Sequence, residues 1–256
     1  CLVGSEMCIR DRYYESIMSS TAPNRVSWFS GTINPPKGSK VNGTNKHMGG
    51  PTLDNRDSVG CERTDSGKPF SCVPLRWKTV PEYLQEAGIS WRVYQDKDNF
   101  GDDPLVMWKQ YQTSAKKKGD LAQRGTSFPG LQKFFDDARD GKLPEVSYIV
   151  APMQLSEHPP YMPMDGAWIQ GEVAKAVMHG KNWDSTALIY SYDETGGWAD
   201  HVVSPYPPQS EESEWIEDPY DKSNGITPIG PGFRLPFYIV SPWTSGGHVF
   251  TEHAAH

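Results

Sequence analysis

No stretch of this 256-residue chain approaches the ~20 apolar residues that a membrane-spanning helix requires. Basic charge is also in short supply. The 25 Lys and Arg stand against 32 Asp and Glu, a formal net charge of −7. That balance argues against a nucleic-acid binder, which shows a basic patch, and against strong attraction to anionic membranes. The longest basic run, Lys116-Lys117-Lys118, reads as a solvated helix end that complements the helix dipole. Cysteine is scarce at 4 residues. Cys61 and Cys72 flank a polar loop, and the residues between them contain no Cys or His pair with zinc spacing. A disulfide across that loop would stabilise by ~3 kcal/mol and implies an oxidising compartment; free thiols or a metal site are the alternatives. The sequon Asn42-Gly43-Thr44 points the same way.

What is present is glycine and proline, 24 and 22 residues, with 36% apolar and 22% charged residues. This is a loop-rich globular composition, and the length suffices to bury a substantial core in one domain. Residues 31–76 form a long polar insertion with little periodicity, a candidate lid or rim. A capping box, Thr79-x-x-Glu82, opens a helix with the stripe Val80, Tyr83, Leu84 and Ala87 that stops at Gly88. It feeds a strand over 89–94. Further helices are predicted near 104–118, 129–140 and 166–180, the last with Ile169, Val173, Ala176 and Val177 on one face. Buried strands are predicted at 187–190, within 143–152 and at 237–240, and 203–229 reads as a loop. Strand-helix alternation of this kind predicts an α/β fold with a mostly parallel sheet covered by helices.

Chemistry concentrates in Ser191-Tyr192-Asp193-Glu194-Thr195-Gly196-Gly197-Trp198-Ala199-Asp200-His201. Adjacent carboxylates at a strand end repel unless a cation lies between them, and a divalent metal is the usual answer. The Gly196-Gly197 turn brings Asp200 and His201 back toward the pair. An ordinary polar turn with a surface Asp-His pair is the competing reading. The strand within 143–152 runs into Ser156-Glu157-His158-Pro159-Pro160, so a second strand exit also delivers a histidine. In open α/β sheets ligands bind beyond the carboxyl ends of strands, which supports one site. His47, His179 and His248 read as ordinary surface or satisfied histidines.

The segments 23–33, 77–105, 143–168, 185–202 and 230–256, which include PNRVSWFSGTI, SEHPPYMPMDGAW and YDETGGWADHV, resemble the phosphoesterase family of phospholipases C. Within that family the chain looks closest to the fungal-type and bacterial phosphocholine-preferring enzymes. The resemblance implies an alkaline-phosphatase-like α/β/α sandwich and hydrolysis of a phosphate ester. Carried over by motif, the acidic metal ligands of a divalent ion fall on Asp193 and Glu194. The nucleophile falls on Thr21, also a metal ligand, with Ser20 the near alternative. The phosphate-facing histidine falls on His158, and a terminal histidine of the Gly-Gly…His block on His256. Asn24 and Arg25 of the Pro-Asn-Arg motif, with Trp198, are expected to contact substrate. Asp200 is expected to fix the tautomer of His201, a further ligand or proton carrier.

The family's opening Glu-Asn pair has no counterpart before Thr21. Residues 1–12, CLVGSEMCIRDR, have none in the resemblance either, and read as translated sequencing-adapter sequence outside the fold. Cys1 and Cys8 are accordingly expected to pack against nothing. Residues 13–256 are then a single catalytic domain, incomplete at both ends. The expected activity is metal-dependent hydrolysis of a glycerophospholipid to diacylglycerol and a phosphorylated head group, by a secreted or cell-surface monomer. An acid phosphatase or other phosphodiesterase is one rival; an inactive lipid- or phosphate-binding fragment is the other.

Overall fold

The computed structural model describes residues 7–34, 52–55, 74–198, 200–218 and 221–256. The Cys61–Cys72 pairing, the Asn42 sequon, His47 and most of the 31–76 insertion lie outside the described residues.

A four-stranded sheet has the order β5-β8-β1-β9, built from β1 (Met7–Arg10), β5 (Leu188–Ser191), β8 (Phe237–Val240) and β9 (Val249–Phe250). β5 and β1 both pair antiparallel with β8, and only β9 runs parallel to its neighbour β1. Beside it β3 (Trp91–Gln95) pairs parallel with β4 (Val146–Val150). β2 (Tyr13–Tyr14) pairs parallel with β10 (Ala254–Ala255), and β6 (Trp215–Glu217) antiparallel with β7 (Ile226–Pro228). The α/β class therefore holds, but the mostly parallel sheet does not: among the described residues the strand pairs divide evenly between the two directions. Local periodicity encodes that a strand alternates, not which way its neighbour runs.

The helices are α1 (Thr21–Ser30), α2 (Val80–Glu86), α3 (Lys109–Lys116), α4 (Asp120–Gly125), α5 (Leu131–Asp140) and α6 (Pro163–Met178). α2 starts where its capping box predicts: Glu82 reaches back to accept from the Thr79 N–H at 2.9 Å. α3 ends in the lysine run, as read. Two apolar clusters form the core. One holds Trp91 and Val93 with Val26, Phe29, Trp108 and Val150; the other holds Tyr94 with Phe134, Ile169, Val173, Val177, Leu188 and Val240. Alternation along β3 sends successive side chains to opposite faces, so one strand feeds both clusters. Fully burying each such aliphatic or aromatic side chain contributes ~1.5–3 kcal/mol.

Two expectations are corrected here. Met7–Arg10 is a paired strand between β8 and β9, and Cys8 is 3% exposed. The free edge of β8 takes a backbone partner, and the short Met-Cys-Ile run supplies one with apolar side chains. The stretch 203–229 is not all loop, since β6 and β7 form a hairpin within it. Among the described residues no helix is long and apolar enough to cross a membrane.

Candidate active site

The turn before α1 sets the first part of the site. Asn24 is completely buried. Its Oδ1 accepts from the Ile17 N–H at 3.0 Å, and its Nδ2 donates to the carbonyls of Ile17 at 3.0 Å and Ser20 at 3.2 Å. Asn24, expected to contact substrate, instead clamps the 17–20 turn and does not line the cleft. Ser20 is the N-cap residue, and its hydroxyl accepts from the Asn55 N–H at 3.1 Å. Thr21, the first residue of α1, lines a cleft of about 690 Å³. Arg25 stands four residues on, on the same helix face, and lines the same cleft.

The exit of β5 supplies the acids. Asp193 and Glu194 follow its last residue and line the cleft with His158, Trp198 and Asp200. Thr21, His158, Asp193 and Glu194, drawn from three distant segments, therefore converge as the motifs imply. Arg25 bridges the acids: its Nε lies 2.9 Å from Asp193 Oδ2, and its Nη2 lies 3.1 Å from Asp102 Oδ2. A further bond runs from Arg25 Nη1 to the Asp102 carbonyl at 2.9 Å. Burial opposes the charge on Asp193, but the attraction and hydrogen bond of Arg25 outweigh it and hold the carboxyl below its usual range. Burial raises Asp102, with Arg25 offsetting part of the effect. Burial also raises Glu194, against the hydrogen bond its Oε2 accepts from the Gly196 N–H at 2.6 Å and reinforced by the charge on Asp193.

The exit of β4 brings Ser156, Glu157 and His158 to the same cleft. His158 Nδ1 lies 2.8 Å from the Pro159 carbonyl, an acceptor only, so the neutral ring carries its hydrogen on Nδ1 and presents Nε2 as a base. Phe100 packs on the ring with centroids 5.1 Å apart.

Asp200 and His201 depart from expectation. Arg234 takes both oxygens of Asp200, Nε to Oδ2 at 2.6 Å and Nη2 to Oδ1 at 3.0 Å. That bond is the main reason the Asp200 pKa falls to about 2. The His201 side chain is 91% exposed and lies 3.6 Å from Asp200, and it does not line the cleft. His256 does reach the acids: its Nε2 is 3.1 Å from the Asp193 carbonyl, and burial pushes its pKa down to about 4. Arg234, Asp102 and Tyr192 were not singled out in the sequence; Asp102 and Arg234 lack any motif of their own, while Tyr192 adjoins the acidic pair.

A divalent cation needs several hard donors converging on one point. Among the described residues no group of three or more His, Cys, Asp and Glu side chains could hold one. One oxygen of Asp193 already faces a guanidinium and one of Glu194 a backbone N–H, leaving Thr21 as a neutral donor. This arrangement does not fit a bound metal.

Comparison with known proteins follows from the same residues. A model of the Phosphoesterase family matches residues 2–256. The chain is 36% identical to a non-hemolytic phospholipase C of Pseudomonas aeruginosa, covering 95% of this chain and 35% of the relative. It is 33% identical to a non-hemolytic phospholipase C of Burkholderia pseudomallei, over 95% and 36%. It is also 33% identical to phospholipase C B of Mycobacterium tuberculosis, over 96% and 45%. The chain thus spans less than half the length of these curated relatives. With its motifs gathered around one cleft and the family model matched along nearly its whole length, the chain belongs to the Phosphoesterase family.

Proposed function

We propose that this chain carries the catalytic centre of a phospholipase C-type hydrolase, which cleaves a phosphatidylcholine-like glycerophospholipid to diacylglycerol and a phosphorylated head group. The observation that carries the reading is the meeting of Thr21, Arg25, His158 and the Asp193-Glu194 pair in one cleft. Its relatives carry the name phospholipase C. Thr21 Oγ1 sits at the amino end of a ten-residue helix, where backbone N–H groups and the helix dipole favour a phosphoryl group. In this reading Thr21 attacks phosphorus in line, and its proton passes to Glu194, whose proton affinity burial raises. Arg25 supplies positive charge to the phosphoryl oxygens while Asp102 and Asp193 fix its direction. His158 takes up a proton from solvent at Nε2 and passes it to the departing diacylglycerol oxygen. Water then releases the phosphorylated head group from Thr21. Ser20, turned to Asn55, is the less favoured nucleophile.

A divalent cation would bind Asp193 and Glu194 only once Arg25 has released Asp193, and none of these steps runs through it. We place the small sheets within one catalytic domain, an alkaline-phosphatase-like sandwich, secreted and monomeric. The test is turnover of p-nitrophenylphosphorylcholine against p-nitrophenylphosphate. Preference for the diester supports the proposal, and preference for the monoester supports an acid phosphatase. A second reading, a module that holds phosphate without cleaving it, is favoured by the lack of a three-donor metal group among the described residues. Phosphate binding with neither ester turned over would establish it.

A further inference from the structure

The cleft carries a carboxylate that the proposed chemistry does not use. Glu157 lines the cleft and is held there by neutral groups. Tyr192 OH lies 2.9 and 2.8 Å from its two oxygens, and Gln170 Nε2 donates to Oε1 at 2.8 Å. The same Gln170 Nε2 lies 2.9 Å from Tyr192 OH, and its Oε1 accepts from Tyr238 OH at 3.1 Å. Burial, and then the bond to Glu157, raise the Tyr192 pKa far above its ordinary value, so the phenol stays a donor. Among the described residues no cationic side chain pairs with Glu157.

The position is also built at a cost. Glu157 adopts a left-handed φ of 64°, a conformation unfavourable for a residue with a Cβ and one that collects at ligand sites. Gly166, in the first turn of α6, is buried against it; a Cβ there would collide with the Glu157 side chain. Around this charge stand rings that line the same cleft: Tyr192, Tyr238, Phe100 and Trp198. Phe100 and Trp198 are 49% and 70% exposed. A fixed negative charge without a counter-ion, among aromatic faces, recognises an organic cation: the carboxylate attracts it and the rings replace its hydration. Arg25, which lines the same cleft, suits the phosphate of the same molecule.

We infer that Glu157 is the specificity-determining residue of a cation subsite, which selects phosphate esters bearing an ammonium group. The inference rests on the hydrolase reading for its kinetic test but not for its binding test. Kinetics compare p-nitrophenylphosphorylcholine with its neutral isostere, 3,3-dimethylbutyl p-nitrophenyl phosphate. Glu157→Gln should lower the ratio of kcat/KM values, choline ester over neutral ester, by about tenfold, with the change carried by KM. Gly166→Ala keeps the charge but displaces it, and should lower the ratio in the same sense with folding intact. A ratio unchanged in both variants overturns the inference, whether the individual rates fall together or not at all; the hydrolase reading then stands. Titration with tetramethylammonium chloride, read by tryptophan fluorescence, tests binding alone. Saturable binding that weakens about tenfold in Glu157→Gln supports the subsite. Absence of binding to the unaltered protein overturns it. If the unaltered protein hydrolyses neither ester, the hydrolase reading fails and this titration alone decides the inference.

Discussion

The residues of the cleft divide by what their polar atoms already touch. Thr21 faces the cleft, whereas Ser20 spends its hydroxyl on Asn55. Thr21→Ala should therefore lower turnover of p-nitrophenylphosphorylcholine by at least ~10³-fold, with the thermal midpoint moved by no more than about 3 °C. Near-normal activity in that variant would rule out the covalent route through Thr21. Arg25 is the residue that decides cation occupancy. With its guanidinium removed, Asp193 becomes an uncompensated, half-buried carboxylate beside Glu194. Arg25→Ala should bind Mg²⁺ about tenfold more tightly than the unaltered protein in a calorimetric titration while losing turnover. Equal affinities would mean that Arg25 does not compete with the metal. The acidic pair was legible because it directly follows the exit of β5, and His158 because its Ser-Glu-His-Pro motif lies in the loop after β4. The Arg25 bridge was not, because its partners lie 77 and 168 residues away in sequence. The Arg234 contact was hidden for the same reason: adjacency in sequence pointed to His201, which lies 3.6 Å from Asp200, while an arginine 34 residues on takes both carboxylate oxygens.

At the scale of elements, legibility followed the strength of local signals. α2 announced itself by its capping box, and β8 by four consecutive apolar residues. β6 and β7 have three residues each, and β7 ends in Pro228, so proline and acidic neighbours masked them as loop. The strands that flank the site are tied by a seam no motif encodes. Residues 13–18 run beside 229–235, with Glu15 N–H donating to the Phe233 carbonyl at 3.0 Å and Leu235 N–H to the Tyr13 carbonyl at 2.7 Å. Gly230 lies in that seam, and a Cβ there would meet the Ser16 carbonyl. Because the obstacle is backbone, it cannot rotate aside as a side chain does. Gly230→Ala should cost about 1–3 kcal/mol, read as a lowered urea midpoint at unchanged m-value. An unaltered midpoint would show that the seam yields.

For the molecule as a whole, buried titratable groups set how stability follows pH. Burial raises Glu15, which is 2% exposed and has one oxygen without a partner, from 4.5 to about 7. Burial likewise raises Asp103 to about 6, and moves Asp102 and Glu194 upward. A raised carboxyl keeps its proton in the folded chain after the unfolded chain has lost it. Its contribution is therefore complete below the ordinary carboxylate range and is lost as pH rises through the folded value. His256 acts oppositely. Its pKa is lowered to about 4, so its contribution is present above about 6.5 and is lost as pH falls toward 4. Several carboxyls outweigh one histidine, and stability should decline on passing from about pH 4.5 to pH 7. Glu15 alone accounts for roughly 3 kcal/mol of that decline, at 1.36 kcal/mol per tenfold change in proton affinity. Glu15→Gln keeps the shape and removes the titration. It should therefore raise the urea midpoint at pH 8 by an amount equivalent to about 3 kcal/mol and change it little at pH 4. An equal effect at both values would show that Glu15 ionises as freely in the folded chain as in the unfolded one. His256→Phe should steepen the decline between pH 4 and 6.5, because it removes a contribution that runs the other way. That variant separates the histidine from the carboxyls while leaving both acidic side chains at the exit of β5 in place, at the loss of the bond between His256 Nε2 and the Asp193 carbonyl.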